Sequence, residues 1–123
     1  EPEPETEPEP EPAITYVVTV VNDGGNKFVL NNDSSLILSF ESGRTYIFDQ
    51  SHISNTNHPI SIYNVNTNNI VFPGLSSSGT PGQPGATVTY NIPNTFANGV
   101  VKIICTIHGA SMGSYYGSAI TIS

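Results

Sequence analysis

Apolar side chains recur at every second position through most of this chain, the period of β-strands with one buried face. The alternation is clear in residues 13–21, where Ile14, Tyr16 and Val18 fall on one side. The same pattern, or a short β-branched run, recurs in segments 27–30, 36–40, 44–50, 59–65, 86–92, 100–105 and 118–123. No segment repeats apolar residues at the helical period over three turns.

Turn residues separate these segments, and seven or eight short strands in about 110 residues predict an all-β Greek-key β-sandwich. The sequence NDGGN at 22–26 is typical of a turn that joins the two strands of a hairpin. Residues 66–85 are rich in Gly, Pro, Ser and Asn and are too many for a hairpin turn. We expect that connection to cross between the sheets or to carry a short helix or strand.

The first twelve residues, EPEPETEPEPEP, differ in composition from the rest of the chain. They hold six Glu, five Pro and no apolar side chain, which predicts an extended, solvated spacer. The spacer also accounts for most of the net charge of −7, since residues 13–123 carry four acidic and three basic side chains. We therefore divide the chain into an acidic Glu/Pro spacer, 1–12, and one β-sandwich domain, 13–123.

The composition of the domain bears on its partners and its location. Without a basic patch to contact phosphates, nucleic-acid binding is not expected. No apolar run approaches the length that spans a membrane. Few charges and many Asn, Ser, Thr and Gly are typical of exported β-rich proteins, so we expect a periplasmic, cell-surface or secreted protein. The spacer suggests a domain that is tethered to something else.

Residues 105–112, CTIHGASM, hold the single Cys and the single Met of the chain together with one of its three His. They read C-x2-H-x3-M between two predicted strands, and Cys105 closes the first of them. A lone Cys is most often an inert core residue, and a lone His or Met is rarely a ligand. The grouping of all three in one short loop is what indicates a metal site.

A further histidine, His58, lies far upstream in NHP, just before the strand predicted at 59–65. Two imidazoles, one thiolate and one weakly bound thioether make the ligand set of a mononuclear blue-copper centre. We therefore predict one copper ion held by His58, Cys105, His108 and Met112. We expect His58 to come from the sheet that faces Cys105 and to brace the site across the sandwich. The third histidine, His52, is interpreted as a polar loop residue.

With these motifs the domain resembles the cupredoxins, the plastocyanin, pseudoazurin and amicyanin group of small blue-copper proteins. The resemblance covers residues 13–123 and includes the G-x-T-Y-x-F run at 43–48 and GTPGQPGATVTYNIP at 79–93. It implies the same four ligands and one-electron transfer. It also implies that the imidazole edge of His108 reaches the surface, where a redox partner docks briefly.

The chain departs from that family at two positions beside the ligands. Many members have Asn after the first His, and its backbone N–H bonds the Cys sulfur, whereas Pro59 has no N–H to give. Two residues after the Cys the family often has Pro, whereas this chain has Ile107. We therefore hypothesise that the Ile107 N–H donates a hydrogen bond to the Cys105 sulfur.

Other chemistries fit these residues less well. A Cys–His protease needs an activated thiolate, usually on a helix beside a substrate cleft. Structural zinc sites prefer more Cys or His and no Met. A binuclear copper site needs two bridging Cys, a multicopper oxidase needs many more His, and no D-x-D-x-D-G calcium loop occurs. We therefore expect a binding protein and not an enzyme.

One-electron transfer by bound copper is the function predicted, and two other functions stay open. The domain can be a copper storage or delivery protein that has no electron partner. Alternatively, it is a structural or adhesive β-sandwich module of a larger exported or surface protein, in which the metal serves as a staple. The Glu/Pro spacer fits a tethered carrier and a structural module equally well.

Overall fold

The computed structural model of the protein describes residues 12–71, 74–96, 99–117 and 119–123, and it is built almost entirely of strands. The described strands are β1 (Ile14–Asn22), β2 (Asn26–Leu30), β3 (Thr45–Asp49), β4 (Ile60–Asn64), β5 (Asn69–Ile70), β6 (Leu75–Ser78), β7 (Thr87–Asn91), β8 (Val100–Cys105) and β9 (Ile120–Thr121). Two short 3-10 helices, Ile53–Asn55 and Ala110–Tyr116, interrupt them. No helix in the described part is long and apolar enough to cross a membrane. The predicted spacer lies outside the described residues, apart from Pro12.

Two sheets form the sandwich. One has five strands in the order β2-β1-β3-β7-β6, and the other has four in the order β5-β4-β8-β9. The strands β1 and β3 run parallel, and the remaining neighbours are antiparallel. The predicted hairpin joins β1 to β2, with Asn22 opposite Asn26. The all-β prediction is confirmed, and the Greek-key connectivity stays a prediction.

The alternation of apolar residues gives each sheet an inward face. On β3, for example, Tyr46 and Phe48 are buried whereas Ile47 between them is partly exposed. The two inward faces meet in one cluster of buried side chains, which contains both Cys105 and Met112. Burial of large apolar side chains such as these contributes about 1.5–3 kcal/mol each. The loop that is predicted to carry three of the ligands, residues 105–112, is thus built on a packed core.

Segment 36–40 was predicted as a strand, and this prediction is wrong. Leu38 and Phe40 do face the core, as the alternation requires, but only Phe40 pairs with another segment, at Ile122. Alternation reports which side chains are buried, and a strand also needs a neighbouring backbone along its length. The last strand is likewise shorter than predicted, since only Ile120–Thr121 pairs with β8.

The connection 66–85 does cross between the sheets, as expected, and it carries two strands. Strand β5 pairs with the end of β4 in the four-stranded sheet, and β6 pairs with β7 in the five-stranded sheet. Both are edge strands, and β6 reads LSSS, so it has little apolar alternation to mark it in the sequence.

Candidate metal centre

Residues 106–108 form a tight three-residue turn at the end of β8. Cys105 and Gly109 exchange two backbone hydrogen bonds, from Cys105 N to Gly109 O at 3.0 Å and from Gly109 N to Cys105 O at 2.7 Å. Gly109 has φ 89° and ψ −164°, a conformation that is readily available only to glycine. The closed turn over residues 106–108 brings His108 back beside Cys105.

His58 reaches the same end of the molecule from the neighbouring strand. Strand β4 begins at Ile60, which lies directly opposite Cys105 in the antiparallel ladder. The Thr106 N–H donates to the Pro59 carbonyl at 3.0 Å and extends this pairing toward His58. The expectation that His58 comes from the facing sheet is therefore wrong. A sequence pattern marks a strand without saying which sheet the strand joins.

The ligand atoms of three residues converge. His58 Nδ1 lies 3.1 Å from His108 Nδ1, and the Cys105 Sγ lies 3.5 Å from the same nitrogen. One ligand atom from each of the three residues lies within 4.8 Å of the other two. The two rings are tilted by 48° with centroids 4.8 Å apart. His58, Cys105 and His108 thus form a cluster that can hold a metal ion.

The spacing within this cluster fits one small ion. Two nitrogens bound to a tetrahedral ion at about 2.0–2.1 Å lie about 3.3–3.4 Å apart, and a nitrogen and a thiolate sulfur lie about 3.5 Å apart. The 3.1 Å and 3.5 Å separations differ from these values by a few tenths of an ångström. All three ligand atoms lie within 4.8 Å of one another, so the side chains can close around one ion by moving together. The fit holds for several metals, since it depends on size and not on identity.

The three ligand atoms differ in their access to solvent. Cys105 is fully buried, His58 is partly buried and His108 is exposed. Burial, and secondarily the charge on His108, lowers the pKa of His58 below its ordinary value. The neutral imidazole, which is the form that coordinates metals, is therefore favoured at His58 at neutral pH. The exposed His108 gives the cluster an edge at the molecular surface.

Met112, the fourth predicted ligand, lies on the 3-10 helix Ala110–Tyr116, called the loop helix below. Its side chain is 1% exposed and belongs to the same core cluster as Cys105. The loop helix packs closely on β8, since a Cβ added at Gly113 would collide with the Ile103 carbonyl oxygen. Only glycine allows this approach. The thioether is thus buried in the core cluster that also contains Cys105, and its role as an axial ligand stays a prediction.

Two aromatic residues tie the loop helix to the β1–β2 hairpin. The Tyr116 hydroxyl accepts the Leu30 N–H at 2.6 Å and donates to the Asp33 carbonyl at 3.0 Å. The Tyr115 hydroxyl donates to the Asp23 carboxylate. Lys27 adds a bond to the Ser111 carbonyl at 3.1 Å. These contacts hold the helix that carries Met112.

His52 lies outside the cluster. Its Nδ1 accepts the Ser54 N–H at 3.2 Å and lies 2.8 Å from the Ser54 hydroxyl, so it caps the 3-10 helix Ile53–Asn55. The hypothesis about Ile107 finds no support, because no hydrogen bond from its N–H to the Cys105 sulfur occurs among the described residues. The sulfur instead lies beside the His108 ring.

Two buried amide side chains next to the site, Gln50 and Asn55, were not predicted from the sequence. Both are almost fully buried, with 1% and 0% of their surface exposed. The sequence did hold an indication of the first: Gln50 continues the inward alternation of Tyr46 and Phe48, and a polar side chain at an inward position needs hydrogen-bond partners. Nothing comparable marks Asn55.

Comparisons with known proteins add no family assignment. No protein-family model matches the chain, and neither the curated proteins nor the solved structures give a match.

Proposed function

We propose that this protein is a mononuclear blue-copper carrier of the cupredoxin type, which binds one copper ion and transfers one electron at a time. One observation carries the proposal: His58 Nδ1, Cys105 Sγ and His108 Nδ1 converge at one end of the sandwich. Met112 is buried in the core cluster that also contains Cys105, and it is the proposed fourth ligand.

Copper is favoured over zinc by the kinds of donor present. A site with two imidazoles and one thiolate, supplemented by a thioether, is characteristic of copper, whereas structural zinc sites use four Cys or His ligands. Cys105 is the single Cys of the chain, so the site lacks the two or more Cys ligands that are common in structural zinc sites. Copper bound there would supply one-electron chemistry by alternating between Cu(II) and Cu(I).

The surrounding residues suit electron transfer because they restrict ligand movement. Cys105 and Gly109 are joined by two backbone hydrogen bonds, and the His58 segment is bonded to Thr106 through Pro59. A ligand set held by the backbone stays nearly fixed when its charge changes, so little energy is spent on rearrangement. The exposed ring of His108 offers the path by which an electron enters or leaves.

The proposed partner is a redox protein that docks briefly around His108. Ile107, at the tip of the turn, is 62% exposed and provides an apolar contact beside that ring. The domain carries almost no net charge, so we expect weak electrostatic steering of the encounter. We further propose that the protein works outside the cytoplasm, with the Glu/Pro segment as a tether.

Copper storage or delivery is the second candidate, and the exposure of His108 favours it, because a competing ligand can approach that side of the ion. A structural module with a metal staple is the third, and no feature of the described residues favours it over the others. The three differ in what happens to the bound metal. A carrier exchanges electrons while keeping its copper, a delivery protein releases Cu(I), and a staple does neither quickly.

The first test is to add one equivalent of Cu(II) to the purified metal-free protein and record visible and electron paramagnetic resonance spectra. An intense blue band with small copper hyperfine splitting is expected from a thiolate ligand. A colourless sample with the spectrum of surface imidazole sites would contradict the proposal. Electron self-exchange and transfer of Cu(I) to a chelator then separate the carrier from the delivery protein.

A further inference from the structure

Gln50 joins the five-stranded sheet to the segment that carries His58. It follows β3, is 1% exposed, and is held by its own backbone, which donates to the Ala86 carbonyl at 2.9 Å and accepts the Gly82 N–H at 2.8 Å. Its side chain points to Ile60, the first residue of β4 in the other sheet, and to the segment that precedes it. The backbone of Gln50 is therefore held in place, and its side chain can position the segment that carries His58.

The side-chain amide of Gln50 makes three hydrogen bonds that use both of its ends. Nε2 donates to the His58 carbonyl at 2.7 Å and to Asn55 Oδ1 at 3.1 Å. Oε1 accepts the Ile60 N–H at 3.0 Å. Rotating the amide by 180° would set its NH₂ against the Ile60 N–H and its oxygen against the His58 carbonyl. Only one orientation satisfies all partners.

The groups that Gln50 holds lie on either side of Pro59. The His58 carbonyl and the Ile60 N–H are both bound by the same amide, and the His58 N–H donates to the Asn55 carbonyl at 2.8 Å. The backbone of His58 is thus fixed through both of its polar groups. Pro59 cannot donate, so its neighbours supply the bonds that the segment needs.

Asn55 extends this network to a third strand. Its Nδ2 donates to the Val18 carbonyl on β1 at 2.8 Å and to the His52 carbonyl at 3.1 Å, while its oxygen accepts from Gln50. Buried amides with every bond made are rigid, because breaking one bond leaves a desolvated group without a partner. The bracing across the sandwich that was expected of His58 is thus made by Gln50.

We propose that Gln50 is a positioning residue that fixes the His58 imidazole beside Cys105 and His108. The idea rests on the proposed function, since it assigns Gln50 the task of preorganising one copper ligand. Without its amide, the His58 carbonyl and the Ile60 N–H lose their partner, and the imidazole leaves its position 3.1 Å from the His108 nitrogen. The His58 imidazole then no longer keeps one position beside Cys105 and His108, while the sandwich remains folded.

Two substitutions test this role. Gln50→Met keeps the length of the side chain and removes all three hydrogen bonds. Gln50→Glu keeps the acceptor for the Ile60 N–H and removes at least one of the two donors, since a carboxyl group carries at most one O–H. The control is Tyr46→Phe, near the start of β3, the strand that ends just before Gln50; it deletes the hydroxyl that accepts the Glu41 N–H at 2.8 Å. It lowers stability without touching the His58 segment.

The first measurement uses the metal-free full chain and the ring resonances of His58 by nuclear magnetic resonance. One sharp set is expected for the parent and for Tyr46→Phe, and shifted, broadened or multiple sets are expected for both Gln50 variants. Slow amide exchange of Ile60 is expected in the parent. Unchanged His58 resonances in the Gln50 variants, or rapid Ile60 exchange in the parent, would overturn the proposal, and the exchange measurement needs no variant to fold.

The second measurement is the binding of Cu(II). Loss of a group that orients a ligand typically weakens metal affinity about 10- to 100-fold, and we expect that loss, with an altered visible spectrum, for Gln50→Met. Tyr46→Phe should match the parent. Affinity and spectrum unchanged in Gln50→Met would overturn the proposal. If the parent itself forms no thiolate band, the proposed function fails, whereas the metal-free ring resonances still decide whether Gln50 fixes His58.

Discussion

The Nδ1 atoms of His58 and His108 lie 3.1 Å apart, although 50 positions separate these residues in the chain. Each ring turns its Nδ1 toward the other ring, and the Nδ1 of His108 also lies 3.5 Å from the Cys105 sulfur. In the absence of a cation, this contact requires one ring to donate and the other to accept. A metal ion shared by the two rings would replace that hydrogen bond and would bind both nitrogen lone pairs.

Replacing Cys105 by serine should remove the intense visible absorption of the copper-loaded protein. A hydroxyl is a poor donor to copper, and the strong band depends on the thiolate. We expect Cu(II) to bind more weakly and without colour, as followed by titration in the visible range. A copper-loaded Cys105→Ser protein that keeps the parent band would contradict the assignment of the thiolate.

Substitution by glutamine should affect Cu(II) affinity at His58 and only stability at His52. His58→Gln removes a ligand and should weaken Cu(II) binding about tenfold or more. His52→Gln removes a cap and should lower the free energy of unfolding by about 1 kcal/mol or less, with metal affinity unchanged. Competition titration against a chelator and thermal unfolding report the two quantities. Equal losses of affinity in both variants would count against a specific role for His58.

Met112→Gln should retain copper and lower its reduction potential, because an amide oxygen stabilises Cu(II) more than a thioether does. The measurement is protein-film voltammetry or a redox titration of the loaded protein. Since Met112 is 1% exposed, some loss of stability is expected as well, and it should be measured on the metal-free protein. An unchanged potential would show that Met112 is only a core residue.

Gly113→Ala should destabilise the protein by about 1–3 kcal/mol, the usual result of overpacking a filled space. The new Cβ would collide with the Ile103 carbonyl oxygen and push the loop helix away from β8. Ser114→Ala, at the exposed next position, is the control and should leave stability unchanged. Denaturant unfolding of the two metal-free variants makes the comparison. Equal stability would mean that the close approach at Gly113 is not required.

Tyr46 and Tyr90 lie opposite each other on β3 and β7, yet their hydroxyls differ. The Tyr46 hydroxyl accepts a backbone N–H, whereas the buried Tyr90 hydroxyl has no partner in the described part of the chain. Tyr90→Phe should therefore leave the protein as stable or stabilise it by about 1 kcal/mol, while Tyr46→Phe costs about 1 kcal/mol. Urea unfolding at neutral pH gives both values. A large loss in Tyr90→Phe would mean that its hydroxyl is satisfied.

Tyr90 also gives a prediction in alkaline solution. Burial raises the pKa of Tyr90 to about 12 from its ordinary value of 10.0. The folded state therefore keeps the proton between these values while the unfolded chain loses it, so stability from this group is complete below pH 10 and is lost as pH rises through 12. The fall in unfolding free energy over that range should be smaller in Tyr90→Phe than in the parent. Parallel profiles would contradict this.

Much of the fold follows from local patterns in the sequence. The hairpin of β1 and β2 is predictable because both its alternation and its turn, NDGGN, are local. Segment 36–40 has the alternation but lacks a neighbour along its length, and β6 has a neighbour but lacks the alternation. Hydrogen-bonded neighbours are set by the whole chain, and a single segment does not contain that information.

The cluster of His58, Cys105 and His108 was predictable for a different reason. Cys105 and His108 are close in sequence, and the chemistry of the rare donors linked them to His58 without any knowledge of the sheets. The placement of His58 beside β8, and its support by Gln50, depend on contacts between distant segments. Donor chemistry could therefore indicate which residues meet, but not how they are held.

The closed turn at residues 106–108 has a consequence for how such a protein can diversify. Its shape is set by backbone bonds between Cys105 and Gly109 and from Thr106 to Pro59, while the side chains of Thr106 and Ile107 face solvent. These two side chains can thus be substituted, in evolution or by design, without moving the ligand atoms. Under the proposed function, partner preference would then vary through Thr106 and Ile107 without a change at the ligand atoms, and only the exposed His108 ring would serve both partner docking and metal binding.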